Sequence, residues 1–144
     1  MPIQGNYEPG SWDWANDQVA KIEASGGTDG LELQSKSVFV LWTKGRKSGA
    51  IRKAPLMRVE HEGRYAAVAS KGGDPKHPEW YLNLLADPHV SVQDGPEVKD
   101  FVGRVLEGDE RAEWWARAAE FWPAYDDYQT KTDRQIPVVL LEPA

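Results

Sequence analysis

The chain has 144 residues, 28% of them charged and 40% hydrophobic, and a formal net charge of -6, which suits one globular core rather than two. That acidic balance argues against general nucleic-acid binding, which needs a broad basic face. With no cysteine, the chain is barred from disulfides, thiolate nucleophiles and iron–sulfur ligation, and no apolar run reaches the ~20 residues of a membrane helix.

Along the chain, Ser11 is placed to cap a short helix that carries Trp12, Ala15, Val19 and Ile22 on one stripe. Gly26-Gly27-Thr28-Asp29-Gly30 breaks it. Ser37 to Thr43 (SVFVLWT) is a continuous β-branched and aromatic run, expected as a buried strand. A second strand is expected from Ile51 to Glu60, with Pro55 demanding an edge position or a bulge. Glu62-Gly63 is a turn, and Arg64 to Ser70 is a third strand. Pro78 suits the first turn of a helix running to Ala86, which Asp87-Pro88 ends.

His89 to Gln93 and Val98 to Leu106 read as strands paired around Asp94-Gly95-Pro96. The acidic start at Asp109 and the spacing of Trp114, Trp115 and Ala118 predict a helix to Phe121. An aromatic stretch from Trp122 to Tyr128 follows, and Ile136 to Leu141 closes the chain as a buried strand. Six or so strands joined mostly by short turns favour a mainly β, antiparallel barrel with flanking helices over a parallel sheet. We expect one domain over 1–144, with an N-terminal helix and linker over 1–30 and a barrel core over 37–144. The N-terminus lacks the charged-then-apolar layout of a signal peptide, so a cytoplasmic location is expected.

The strongest chemical signal lies between the first two strands. Gly45-Arg46-Lys47-Ser48-Gly49 is followed by Arg52 and Lys53, placing four of the 17 basic residues within eight positions. In an acidic protein, such a knot of cations and turn amides points to a specific anion pocket. The plainer alternative is a solvated basic hairpin. The loop lacks the spacing of a phosphate-binding Walker motif. Ser70-Lys71-Gly72-Gly73 is a second small-residue loop, suited to close approach by a flat ligand. Glu79-Trp80-Tyr81-Leu82-Asn83 stands at a helix start, where backbone amides favour anions.

Seven Trp and five Tyr add flat rings, several in segments that read as loops or helix ends. His61, His77 and His89 show no metal-ligand spacing, so no metal is expected, and Ser70 lacks a nucleophile elbow. An anion pocket with aromatic walls and no nucleophile suits a borrowed cofactor that brings its own reactivity.

Three segments, LWTKGRKSGAIRKAPL, VASKGGDPKHPEWYLNLLADPHVSVQ and FWPAYDDYQTKTDRQIPVVLLEP, resemble the actinobacterial deazaflavin-dependent nitroreductases and F420H2-dependent quinone reductases. The resemblance runs in order from Val38 to Pro143. It implies a split β-barrel of the FMN-binding type and reduced coenzyme F420 as hydride donor. By matching position, Arg46, Lys47, Ser48, Arg52, Lys53 and Ala54 would hold the phosphate and polyglutamate tail. Val68, Ala69, Ser70 and Lys71 would lie beside the deazaflavin, with Glu79, Trp80, Tyr81, Leu82 and Asn83 completing the cofactor site.

The resemblance further implies a substrate pocket at Trp122, Tyr125 and Tyr128, with Trp122 standing where tyrosine is common. Ser70, Tyr125 and Tyr128 are the candidates to hold or protonate a small-molecule electron acceptor: a quinone, a nitroaromatic or an activated ene. Split barrels of this kind often pair, so a homodimer is an expectation. The acidic N-terminus sets the chain apart from membrane-associated members, and no stable membrane insertion is expected. The rival readings are an FMN-binding split-barrel oxidoreductase and a non-catalytic F420 carrier.

Overall fold

The computed structural model describes residues 3, 5–9, 13–33 and 36–144. In chain order the elements are α1 (Asp13–Ala24), β1 (Glu32–Leu33), β2 (Lys36–Lys44), β3 (Ile51–Met57), β4 (Val59–His61) and β5 (Arg64–Val68). Then follow a single tight helical turn (Lys71–Gly73), α2 (Glu79–Ala86), β6 (His89–Asp94) and β7 (Glu97–Val105). The chain ends with α3 (Gly108–Phe121), α4 (Ala124–Thr130) and β8 (Val138–Pro143). The proposed cap Ser11 and stripe residue Trp12 lie outside the described residues.

All strand pairs are antiparallel, and the sheet runs β1-β2-β6-β7-β8-β5-β4 with β3 on β2. The expected second strand is therefore two strands. Arg58 alone separates β3, bonded to β2, from β4, bonded to β5, so the sheet curls back toward its own start. This is a split barrel with helices outside. Pro55 sits in β3 opposite Val40, and among the described strands β3 pairs only β2, leaving the open edge that a residue without an N–H requires. The hairpin turn between β4 and β5 falls on Glu62 and Gly63, both at positive φ (53° and 79°).

The unbroken apolar runs are explained by burial on both faces. In β8, Val139 and Leu141 point into the barrel with Phe39, Leu41, Tyr65 and Phe101, while Val138 and Leu140 pack outward against Trp114 and Ala118 of α3. β2 repeats the device, with Val40 meeting Val19 and Ile22 of α1 on the outer side. Trp114 is 1% exposed; losing such a side chain from a packed core costs about 3–5 kcal/mol. α2 closes one end of the barrel through Trp80, Tyr81 and Leu84. The aromatic stretch after α3, given no element from sequence, carries the helix α4. No helix among the described residues is long and apolar enough to cross a membrane.

Candidate functional site

The turn between β2 and β3 is closed by its own backbone hydrogen bonds. Its ends are tied by Gly45 N–H to Ala50 O (2.7 Å) and Gly49 N–H to Gly45 O (2.8 Å). Gly49 has a φ of +72°, which only glycine adopts without strain. Asn83 of α2 fixes the turn from below. Its Oδ1 accepts from the Arg46 amide (3.1 Å) and from Arg46 Nη1 (3.0 Å), while its Nδ2 donates to the buried Thr43 hydroxyl (3.2 Å). A carboxamide fits here because it offers both an acceptor and a donor at one buried point.

A cleft of about 450 Å³ opens above this turn, lined by five cations (Arg46, Lys47, Arg52, Lys53 and Lys71) and one carboxylate, Glu79. Ser48, Ala54, Pro78, Trp80 and Asn83 complete one wall, and Ala15 and Asn16 of α1 form another. Beside it, a second pocket of about 250 Å³ is lined by Val68, Ser70, Met57, Trp14, Trp122, Tyr125 and Tyr128 among others. Ala54, Lys71, Pro78 and Trp80 belong to both. The pair can therefore take an elongated ligand, anionic at one end and flat and apolar at the other.

Most of the cations already hold carboxylates. Arg46 pairs with Glu79 (2.7 Å), whose carboxyl is held below its ordinary range chiefly by that hydrogen bond, against a smaller opposing effect of burial. Arg52 pairs with Glu8 (2.8 Å) and donates to the Pro9 carbonyl (2.9 Å). Lys53 contacts Glu23 of α1 and lies over the rings of Trp42 (4.3 Å) and Tyr7 (4.5 Å). Lys47 is exposed and has no ion pair among the described residues. The carboxylate ends of these pairs are the more exposed, so an incoming anion can exchange with them.

The residues expected at the site therefore fall into three groups. Arg46, Lys47, Ser48, Arg52, Lys53, Ala54, Lys71, Glu79, Trp80 and Asn83 meet in the basic cleft. Val68, Ser70, Trp122, Tyr125 and Tyr128 meet in the apolar pocket. Ala69 and Tyr81 instead belong to the barrel core, with Leu82 packed against it, and none of the three lines either pocket.

Tyr125 is 5% exposed, and burial, then the neighbouring Tyr128, pushes its phenol well above the ordinary tyrosine value. Its proton is thus held more tightly than an ordinary phenol's, while Tyr128 is the more open of the two. Sequence reasoning missed α1 as a wall, Glu8 and Glu23 as partners of the cations, and Arg134 behind the Ser70 loop. Only the Arg134 segment gave a signal, lying inside the third matched stretch.

A model of the F420H2-dependent quinone reductase family matches residues 14–143. An F420H2-dependent quinone reductase of Mycobacterium tuberculosis is 36% identical over 106 residues, covering 72% of this chain and 71% of that protein. A solved F420-H2 dependent reductase is 58% identical, with a TM-score of 0.69, over 73% of this chain and 93% of that one. A second solved chain, described as a domain-swapped dimer, is 53% identical with a TM-score of 0.73, over 90% of this chain and 98% of that one.

Proposed function

The chain belongs to the F420H2-dependent quinone reductase family, and from that premise we propose that its joined pockets bring reduced coenzyme F420 and a quinone together for hydride transfer. It is an oxidoreductase, and reduced F420 is its cofactor. The observation that carries the reading is the continuity of a cationic cleft with an aromatic pocket through Ala54, Lys71, Pro78 and Trp80. F420 has the same division, an anionic tail on a flat deazaflavin. When bound, it supplies a hydride.

The protein's part is binding and orientation. Lys47, exposed on the turn, meets the anionic tail first, and Arg52 and Lys53 exchange Glu8 and Glu23 for it. Arg46, held by Asn83 and Glu79, keeps the turn in place. Ala54, Pro78, Trp80 and Val68 offer flat apolar contact to the ring and shed water from it. The acceptor lies against Trp122 and Tyr125, and Ser70 and Tyr128 donate hydrogen bonds to the acceptor oxygen as negative charge develops there. A second planar acceptor, such as a nitroaromatic or an activated ene, would use the same contacts.

The test is oxidation of reduced F420 by menadione, followed for wild type and for Tyr128→Phe. Wild-type turnover with kcat reduced about tenfold or more in Y128F is expected, the range for loss of one donor to a developing oxyanion. No turnover of any quinone by wild type would overturn the enzymatic reading. Unchanged turnover in Y128F would remove Tyr128 from it.

A further inference from the structure

The segment from Ala69 to Asp74 borders the apolar pocket and is conformationally unusual. Lys71, Gly72 and Gly73 all have positive φ (46°, 64° and 84°), and Lys71 has a side chain that disfavours it. Such a backbone persists only where its surroundings fix it. Its own hydrogen bonds are few: Gly73 N–H to Ser70 O (2.9 Å) and Asp74 N–H to Lys71 O (3.1 Å).

Besides the Ala69 N–H to Pro137 O bond (2.9 Å), one guanidinium grips the loop from outside. Arg134 Nη1 donates to Ala69 O (3.1 Å), Nη2 to Ser70 O (2.9 Å) and Nε to Asp74 O (2.9 Å), so both ends of the loop are gripped at once. Nη1 also faces His77 Nδ1 at 3.3 Å, which accepts in the neutral imidazole. Arg134 is in turn anchored to α4: Gln129 Nε2 donates to the Arg134 carbonyl (2.8 Å), and Gln129 Oε1 accepts from Ile136 N–H (2.9 Å). α4 carries Tyr125 and Tyr128. The loop and α4 also meet without slack, since a Cβ on Gly73 would come within 2.8 Å of the Tyr128 carbonyl oxygen.

We propose that Arg134 is a positioning residue of the acceptor site, its planar fork fixing the Ser70–Lys71 loop relative to the α4 tyrosines. It lines neither pocket and acts only through the loop. A lysine cannot replace it, because one ammonium cannot span three carbonyls as the rigid fork does. The catalytic part of this role rests on the F420 reading above; the structural part does not.

The test uses the whole chain without cofactor. Amide exchange of Gly73 and Asp74 should accelerate about tenfold or more in Arg134→Lys and Arg134→Gln, while the β5–β8 ladder keeps its wild-type protection. With reduced F420 and menadione, kcat should fall about tenfold while the F420 dissociation constant stays within about threefold, because the tail cleft is built by other residues. Unchanged loop exchange would overturn the proposal, as would equal acceleration across the core, the mark of a merely structural residue. Wild-type protein that failed to bind F420 would overturn the cofactor reading, with the exchange result still deciding the role of Arg134.

Discussion

Asn83 concentrates the site's construction in one side chain. It is 3% exposed and joins α2, the basic turn and the fully buried Thr43 hydroxyl. Asn83→Ala leaves that hydroxyl unpaired and the turn untethered, so stability should drop by about 1–3 kcal/mol. F420 affinity should weaken about tenfold as the turn loosens, the equivalent of about 1.4 kcal/mol. Thermal melting and a fluorescence titration read the two effects separately, and an unchanged affinity would show that the turn holds its shape alone.

His77 carries the pH dependence. Burial first, and the charge of Arg134 second, make its imidazolium less favourable in the folded chain than the ordinary value of 6.5. The stability linked to it is thus complete above that value and declines as pH falls through it toward the lower folded one, because the unfolded chain takes the proton first. His77→Gln should flatten that stretch of the stability–pH curve; an equally steep slope in the variant would assign it to another group.

At the scale of elements, α1 and residues 7–9 flank the cationic cleft as a strap, with Glu8 on Arg52 and Glu23 on Lys53, so an anionic ligand would compete with these carboxylates. Glu23→Gln frees Lys53 from its partner and should tighten F420 binding by about fivefold, the equivalent of about 1 kcal/mol. Weaker binding in the variant would mean that Glu23 organises Lys53 for the ligand instead of competing with it.

Sequence patterning made most elements legible and left the strap hidden. The strands β2 and β8 announce themselves by β-branched runs buried on both faces, and α2 and α3 by their first turns. α4 went unassigned because seven residues after Pro123 carry no clear helical stripe, although that helix is held by Tyr125 packing under α3. The break at Arg58 also escaped, since the residue bends toward Asp94, which it grips at 2.9 Å from 36 positions away. Short glycine and lysine motifs marked both sides of the site. The ion pairs of Glu8 and Glu23 link residues 44 and 30 positions apart and have no local signature.

For the whole molecule, the net charge of -6 and the five cations of one cleft pull in opposite directions. The surrounding field repels an anionic ligand while the cleft selects it, which makes binding depend on how many charges the ligand can place there. FMN offers a single phosphate; F420 offers a phosphate and a glutamate tail. The curled sheet fixes this arrangement: β2 and β3 present the cationic cleft, the end of β5 presents the Ser70 loop, and α4 lines the apolar pocket.

The most direct measurement is a titration of the purified chain with oxidised F420 and, separately, with FMN, following ligand fluorescence at low and high salt. The account predicts F420 binding at about micromolar or tighter, much weaker FMN binding, and an F420 affinity that falls as salt screens the cleft. FMN binding as tight as F420, or F420 binding indifferent to salt, would contradict it.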